Sequence, residues 1–313
     1  MNELAAAVDI GGSHVEYGIV CGDRILASET MAVKDTSLRW VLPQLETRIP
    51  ALASRCGTPM QTLSGLALGI CTLVDRSGAV LSTNGKYSDG VSFDLSHWCE
   101  RSFGLPFRAE NDTRLALLGE HTAGAARDFD DAALVTLGTG VGGAVMLGGR
   151  LLQSKGCRAG ALAGHLGVDW RGRQCSCGNR GCAEAESSTA SLDHIAREQE
   201  GFARSALADG AGPIDFRRLF AAVDVEDSLA QALLDRCIAV WSALAVSMIH
   251  AYDPQVIVFG GGVMERHEAI LPDVRAHVAA HAWMGEDGVA ILPSALGASA
   301  ALMGALPLLR GEG

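Results

Sequence analysis

The chain has 313 residues, a length at which two domains are the natural expectation. Hydrophobic residues make up 48% and charged residues 19% of the sequence, which is typical of a compact soluble protein rather than a disordered one. The net charge is −11 and no cluster of Lys and Arg is present, so a nucleic-acid partner is not expected.

The sequence predicts a cytoplasmic protein without a membrane partner. No apolar run reaches the roughly 18–20 residues of a membrane span, and the chain enters a strand pattern at once after the acidic Glu3, unlike a signal peptide. Three of the nine cysteines lie within eight residues, a spacing that favours metal ligation in a reducing compartment over a disulfide framework.

The hydrophobic pattern predicts an α/β chain, because apolar runs of strand length alternate with longer segments of helical spacing. The predicted strands are 4–10, 15–20, 24–30, 63–70, 105–109, 132–137, 143–147 and 255–259. The predicted helices are 38–56, 93–103, 113–123, 187–204, 228–251 and 298–309. The order strand, glycine turn, strand occurs near Asp9 and again near Thr136, as if two related domains face each other.

Three glycine-rich turns follow predicted strands, and each is a candidate nucleotide contact. In Asp9-Ile10-Gly11-Gly12-Ser13, backbone N–H groups can approach a phosphate and the carboxylate can hold Mg²⁺ through water, although a plain hairpin turn is the alternative. Residues 138–143 match the dinucleotide-binding pattern by count, but a strand follows where that fingerprint requires a helix, which leaves a phosphate-holding hairpin. In Gly260-Gly261-Gly262, a flat group such as adenine can lie on the backbone, or the chain can simply turn.

A candidate general base lies at a strand–helix junction. The sequence Glu110-Asn111-Asp112-Thr113 joins the strand predicted at 105–109 to the helix predicted at 113–123. Asp112 can take a proton from a hydroxyl group there, and Asn111 can orient that hydroxyl. The alternative is that Asp112 only caps the helix through its first free N–H groups.

One histidine and three cysteines have the spacing of a closed zinc site. The four candidate ligands are His165, Cys175, Cys177 and Cys182. Gly178 and Gly181 would let the loop fold back so that the sulfurs converge. Four protein ligands leave no position for water, so the predicted zinc is structural. The alternative, three buried thiols in a loop, is less favoured because the segment is too polar for a core.

These segments, in this order, resemble the ROK family of sugar kinases and repressors, part of the actin-like ATPase superfamily. The most specific stretch, 137–188, combines the glycine hairpin, a Gly-His pair and Cys-x-Cys-Gly-x-x-Gly-Cys-x-Glu. The resemblance implies an α/β fold of two ribonuclease H-like domains flanking a cleft that closes around substrate. The implied domains are 1–110 plus 298–313, and a larger domain 111–297 that carries the zinc loop 165–182.

The resemblance also implies a role for each motif. Asp112 matches the family's catalytic base. The positions that match sugar contacts are Asn84, Asn111, Asp112, Leu162, His165 and Glu184. The positions that match nucleotide contacts are Asp9, Gly11, Gly12, Ser13, Gly138, Thr139, Gly140, Gly260, Gly261 and Gly262.

The implied activity is ATP-dependent phosphorylation of a hexose or an N-acylated aminosugar. Asp112 would accept the proton of a sugar hydroxyl as that oxygen attacks the γ-phosphorus, while Mg²⁺ and the loop N–H groups stabilise the charge on the transferring group. The expected cofactors are structural Zn²⁺, Mg²⁺ and ATP, and the chain is expected to form a homodimer. The family's repressors carry an N-terminal helix-turn-helix, which is not expected here because the first strand begins by residue 4.

Two positions depart from the family's pattern. The glutamate of Gly-Glu-x-Gly-His, which hydrogen-bonds sugar hydroxyls, is replaced by Leu162, and a Pro-Gly near the first sugar loop is replaced within 71–75. A buried sugar hydroxyl that faces leucine has no acceptor for its hydrogen bond, which would cost roughly 1–3 kcal/mol of free energy. The chain is therefore either a kinase whose sugar lacks or substitutes that hydroxyl, or a catalytically weak or inactive regulator that binds sugar or nucleotide. Retention of Asp112, both phosphate loops and Glu184 favours the kinase.

Overall fold

The computed structural model of the chain describes residues 3–83, 85–285 and 288–313. The strands are β1 Leu4–Ile10, β2 His14–Cys21, β3 Arg24–Ala32, β4 Leu66–Ile70, β5 Leu73–Val74, β6 Val80–Ser82, β7 Phe107–Asn111, β8 Ala132–Leu137, β9 Val141–Leu147, β10 Arg150–Leu151, β11 Val256–Gly260 and β12 Ala290–Pro293. The α-helices are α1 Leu38–Arg55, α2 Leu95–Phe103, α3 Asp112–Ala123, α4 Ala183–Ser187, α5 Thr189–Arg197, α6 Phe216–Asp224, α7 Ser228–Tyr252, α8 Leu271–His281, α9 Ala300–Met303 and α10 Ala305–Arg310.

Two five-stranded sheets organise the chain. The first has the strand order β3-β2-β1-β4-β7 and the second β10-β9-β8-β11-β12, while β5 and β6 form a separate two-stranded sheet. In the first sheet β1 is antiparallel to β2 and parallel to β4. In the second sheet β9 is antiparallel to β10, and β11 is parallel to β12. The predicted α/β class is confirmed, and the repeated mixture of hairpin and parallel strands matches the strand, glycine turn, strand unit seen twice in the sequence.

By the density of contacts between residues, the chain divides into two compact units. The first comprises Met1–Leu134, Ala144–Ala161 and Ser294–Gly313, and the second comprises Val135–Gly143 and Leu162–Pro293. These bounds differ from the expected domains 1–110 plus 298–313 and 111–297. The reason is that α3 packs against the C-terminal helices α9 and α10 in the first unit.

The core of the first unit lies where α1 covers the sheet. The helix buries Leu38, Val41, Leu45, Ile49 and Leu52 at helical spacing, together with strand residues of β1, β2 and β4. Two prolines lie within α1, yet the helix predicted at 38–56 runs unbroken to Arg55. The buried apolar stripe therefore outweighs the lost backbone hydrogen bonds.

The helix α7 forms much of the core of the second unit, where α4, α6 and α8 pack against it. An 18-residue window of α7 has a mean hydropathy of 1.7, so by length and composition this helix could cross a membrane. The sequence was expected to contain no apolar segment long enough for a membrane span, and α7 reaches that length and composition. Of that window, 56% is buried inside the protein, and Trp241 on the same helix is fully buried. A buried core helix passes the same test of length and composition.

Several elements of the second unit were not predicted. The helices α6 and α8 and the strand β12 have no counterpart among the predicted segments. The helix predicted over 187–204 is instead α5, which ends at Arg197, and a 3₁₀ turn Phe202–Arg204 that begins after Gly201 in the left-handed conformation at φ 88°. Glycine readily adopts this conformation, and it breaks the helix.

Gly119 tests the packing of α3 against α9. A Cβ added at Gly119 would lie 1.9 Å from the backbone oxygen of Ala300. We expect Gly119→Ala to lower the free energy of unfolding in urea by about 1–3 kcal/mol, because overpacking outweighs the better helix propensity of alanine. Gly285→Ala is the control, since a Cβ there meets nothing within 4 Å. Equal stability of the two variants would contradict this packing.

Candidate active site

Two carboxylates lie at the carboxyl ends of parallel strands in the first unit. Asp9 on β1 pairs with Gly69 on β4, and Gly69 pairs with Glu110 on β7, which is followed by Asn111 and Asp112. A Cβ at Gly69 would lie 3.1 Å from Asp9 Oδ1 and 3.5 Å from the Cα of Asp112. The absence of a side chain on the central strand therefore allows the two acids to approach each other.

Asp9 carries an unsatisfied carboxylate oxygen. Its Oδ1 is buried and has no hydrogen-bond partner among the described residues. Burial, the charge of Asp112 and the charge of Glu16 together raise the pKa of Asp9 to about 8. A carboxyl group in this environment needs a proton or a cation beside it. Oxygen ligands of this kind are what Mg²⁺ binds, so Asp9 fits the role expected for it.

Asn111, not Asp112, caps α3. The Oδ1 of Asn111 accepts a hydrogen bond from the backbone N–H of Arg114 at 3.2 Å, and Asp112 is the first residue of the helix. The alternative that Asp112 serves only as the cap is therefore wrong, because the neighbouring amide already fills that position. Both N–H groups of the Asn111 amide are also used, on the Thr72 carbonyl at 3.2 Å and on Asp112 Oδ1 at 3.0 Å.

One carboxylate oxygen of Asp112 accepts the hydrogen bonds that hold this side chain in place. Its Oδ1 accepts the backbone N–H of Thr113 at 2.7 Å in addition to the Asn111 amide. Burial raises the pKa of Asp112, while these hydrogen bonds and the ammonium of Lys86 oppose the rise. A carboxylate that is fixed in position and has a raised pKa is suited to accept a proton near neutral pH.

A buried ion pair that was not predicted from the sequence lies beneath this junction. Arg114 is fully buried, and its Nη1 lies 3.4 Å from Glu110 Oε1. Its Nη2 donates to the carbonyl oxygens of Leu152 at 3.0 Å and Ala159 at 2.7 Å. Gln153 also donates to Glu110. The i,i+4 spacing of an acidic and a basic residue was the signal in the sequence. Because an unpaired buried charge is costly, this network fixes the backbone that carries Asp112.

The first glycine turn is a closed hairpin. The N–H of Gly11 donates to the carbonyl of His14 at 3.1 Å, so it points into the hairpin and is not available to a ligand. The hydroxyl of the fully buried Tyr87 donates to the carbonyl of Gly11 at 2.7 Å. Ser13 is exposed next to this turn. Asn84, the expected sugar contact, lies outside the described residues.

The second glycine turn, in the second unit, is bound to Glu184. Glu184 Oε2 accepts the N–H of Val141 at 3.0 Å, and a Cβ at Gly140 would lie 2.4 Å from the same oxygen. At the start of α5, two backbone N–H groups donate to the carbonyls of Gly138 and Thr139, each at 3.1 Å. The structure thus brings Gly138, Thr139, Gly140 and the expected sugar ligand Glu184 together.

The third glycine run ends β11. Gly261 has φ 87°, and a Cβ there would lie 2.3 Å from the carbonyl oxygen of Leu137, so this glycine serves the packing of the backbone. Gly262 begins the 3₁₀ helix Gly262–Ala269, and a Cβ on it would meet nothing within 4 Å. Of the three glycines, Gly262 therefore has the open face that a flat ligand group would need.

The expected zinc ligands converge within the second unit. The ligand atoms of the His165, Cys175, Cys177 and Cys182 side chains all lie within 4.8 Å of one another. The Nδ1 of His165 is 3.6 Å from Cys175 Sγ, and the sulfurs of Cys177 and Cys182 are 3.6 Å apart. Around tetrahedral zinc, two sulfurs would be about 3.8 Å apart and a sulfur and a nitrogen about 3.6 Å. The donor set and its spacing therefore fit Zn²⁺.

The zinc loop closes on the segments that carry Leu162 and Glu184. Cys182 immediately precedes α4, which contains Glu184, and Leu162 precedes the 3₁₀ turn that ends at His165. Gly181, at φ 63°, packs so closely that a Cβ would lie 1.5 Å from the Asp169 carbonyl oxygen. With Nδ1 of His165 turned to the cysteines, its Nε2 is the nitrogen left for another contact.

The chain is similar to known proteins over most of its length. The ROK family profile matches residues 5–312. The glucokinase of Thermotoga maritima is 28% identical over 277 residues, 87% of this chain and 86% of that enzyme. The N-acetylmannosamine kinase of Escherichia fergusonii is 31% identical over 261 residues, 82% of each chain.

The fold is also similar to a solved structure along nearly its whole length. The crystal structure of a ROK family glucokinase from Streptomyces griseus, in complex with glucose and AMPPNP, has a TM-score of 0.83 and 28% identity, and the match covers 98% of this chain and 99% of that one. The family match over residues 5–312 and the similarity to two named kinases lead to one conclusion. The chain belongs to the ROK family and is a carbohydrate kinase.

Proposed function

We propose that this kinase transfers the γ-phosphoryl group of ATP to a hydroxyl group of a hexose or an N-acylated aminosugar. The observation that carries the proposal is the position of Asp112: it does not cap α3, it is fixed by neighbouring donors, and it lies in the same half-buried acidic site as Asp9. The named relatives, a glucokinase and an N-acetylmannosamine kinase, support the choice of substrate class.

In the proposed reaction, Asp112 accepts the proton of the sugar hydroxyl. That oxygen forms a bond to the γ-phosphorus while the bond from this phosphorus to the departing ADP oxygen breaks. The raised pKa of Asp112 supports this role, because a base whose pKa lies nearer to the working pH accepts the proton more readily. Asn111 has an amide that is largely used internally, so it acts chiefly by holding Asp112.

The nucleotide is proposed to lie on the three glycine turns. Gly12 and Ser13 are proposed as phosphate contacts of the first unit, whereas the N–H of Gly11 is already bound to His14 and Gly11 would serve only to shape the turn. In the second unit, residues 138–140 are proposed as phosphate contacts and Gly260–Gly262 as adenosine contacts. Mg²⁺, held through Asp9, would supply positive charge to the phosphates, and the orphaned buried Oδ1 of Asp9 supports its place there.

Zn²⁺ is proposed to have a structural role in shaping the sugar site. Its four protein ligands would fill a tetrahedral shell, which leaves no position for a reacting water. The ligands would tie the 3₁₀ turn after Leu162 to the start of α4 and so fix Leu162, His165 Nε2 and Glu184. Because Glu184 also holds the second glycine turn, zinc would stabilise that turn as well.

Leu162 limits the choice of sugar. An apolar side chain at a position expected to hold a carboxylate favours a sugar that lacks the corresponding hydroxyl or carries an apolar substituent, such as the methyl of an N-acyl group. The same substitution would suit a catalytically weak sugar-binding regulator, which is the second candidate function.

A sugar panel tests the kinase proposal. We expect ADP release from ATP with at least one member of a panel of hexoses and N-acylated aminosugars. Asp112→Asn should lower kcat by about 10²–10⁴-fold, since the general base is lost. Asp128→Asn, at an exposed aspartate, is the control and should leave kcat unchanged. Sugar binding without ADP release on the whole panel would favour the regulator.

Leu162→Glu tests the specificity assignment. We expect kcat/KM for glucose to rise relative to the best wild-type substrate by about 10–100-fold, because the carboxylate can accept hydrogen bonds from sugar hydroxyls. Leu162→Met keeps the position apolar and should preserve the wild-type preference. An unaltered preference in the glutamate variant would remove Leu162 from the sugar site.

Metal analysis tests the zinc proposal. Reduced, freshly purified protein should contain about one zinc per chain, and Cys182→Ser should lose it, because one of four ligands is missing. Cys56→Ser changes a half-buried cysteine outside the cluster and should retain the zinc. Less than about half an equivalent in the wild-type protein would overturn the proposal.

A further inference from the structure

Lys86 lies directly against the first glycine turn. A Cβ placed on Gly12 would be 1.9 Å from Nζ of Lys86, 2.9 Å from its Cε and 3.1 Å from its Cδ. The end of the lysine side chain therefore crosses the face of Gly12 where any other residue would carry its side chain. Glycine at position 12 leaves the space that the ammonium group occupies.

The segment that carries Lys86 is fixed to this turn. Tyr87 adopts φ 52°, a left-handed conformation that is unfavourable for a bulky residue. Its fully buried ring and its hydroxyl bond to the Gly11 carbonyl hold it there, and its backbone N–H donates to Thr36 at 2.8 Å. Because backbone strain persists only where the surroundings impose it, the position of the neighbouring Lys86 is determined by packing.

Lys86 supplies positive charge to an acidic site without being paired in it. The positive charge of its ammonium opposes the rise in pKa of both Asp112 and the Cys71 thiol. No nitrogen–oxygen contact within 4.0 Å joins Lys86 to a carboxylate in the part of the chain that the structure describes. The ammonium thus remains available to an anionic ligand that approaches Gly12.

A lysine is uncommon in this sequence. Of the 25 Lys and Arg residues, three are lysines, at positions 34, 86 and 155. Lysine carries a compact point charge on a slender stem, whereas the planar guanidinium of arginine needs more room. The slender stem and compact ammonium of Lys86 occupy the space over Gly12.

We propose that Lys86 is a further catalytic residue, whose ammonium contacts the terminal phosphoryl group of ATP during its transfer. This inference rests on the proposed function. The bond between the sugar oxygen and phosphorus forms, the bond to the ADP oxygen breaks, and the sugar proton moves to Asp112. Lys86 transfers no proton in this step, and its positive charge stabilises the negative charge on the phosphoryl oxygens.

The alternative is that Lys86 only offsets the charges of Asp9 and Asp112 in the folded protein. A residue with that role would influence stability and would influence the binding of all nucleotides alike. A residue that contacts the terminal phosphoryl group would instead distinguish nucleotides that carry this group from those that do not.

The test compares Lys86→Met with wild-type protein by calorimetric titration of AMPPNP and of ADP, each with Mg²⁺. We expect the variant to bind AMPPNP at least about tenfold more weakly, while its affinity for ADP changes by less than about threefold. Lys155→Met, at an exposed lysine remote in sequence, should match the wild type for both ligands. An equal loss for AMPPNP and ADP, or no loss for either, would overturn the proposal.

Turnover gives a second measurement for any sugar that the wild type phosphorylates. Lys86→Met should lower kcat by about 10²–10³-fold with little change in KM for the sugar, as expected when one stabilising donor is removed. A kcat within threefold of the wild-type value would count against the proposal.

If the wild type phosphorylates no sugar, the proposed function fails, and the two nucleotide titrations alone decide the role of Lys86. Lys86→Arg, which retains the charge, is the second variant should the methionine variant not fold; it should weaken AMPPNP binding more than ADP binding.

Discussion

The first unit depends on one electrostatic constraint, the presence of two half-buried carboxylates, Asp9 and Asp112, at the ends of neighbouring strands. Each raises the free energy of ionising the other, and burial raises it further, which is why the pKa of Asp9 reaches about 8. The surrounding structure compensates for this cost. Asn111 and Thr113 donate hydrogen bonds to Asp112, Lys86 contributes positive charge, and Gly69 leaves room between the strands. A site of this kind is suited to a ligand that brings cations with it.

The features that could be predicted from the sequence are those that depend only on residues close together in the chain. Strands that end in glycines, the cysteine spacing and the acidic junction after β7 are local patterns, and the structure contains each of them. Asp112 was considered as the cap of α3, where the structure has Asn111, because sequence does not distinguish which of two adjacent polar residues keeps an extended backbone. The helices α6 and α8 were missed; the second of them has proline in its first turn and little apolar periodicity.

The features that could not be predicted join distant parts of the chain. Lys86 and Gly12 are 74 residues apart, and their contact follows from the way Tyr87 is anchored to Gly11. Glu184 was expected to bind a sugar, but the bond of its carboxylate to the N–H of Val141 depends on the packing of α4 against the second glycine turn. The sequence shows that these residues carry chemistry, whereas their partners are determined by tertiary structure.

The parallel pairing of β1, β4 and β7 has a consequence for how this protein can change. Asp9, Gly69 and Glu110 occupy one row across the sheet, and successive residues of a strand point to opposite faces. Inserting or deleting one residue in β4 would move Gly69 out of that row and place a bulky side chain between the acids. The neighbouring pair β2 and β3 already contains a register shift near Ile19. The outer hairpin of this sheet thus accommodates an irregularity that would displace Gly69 if it occurred in β4, although β4 itself contributes no reactive group.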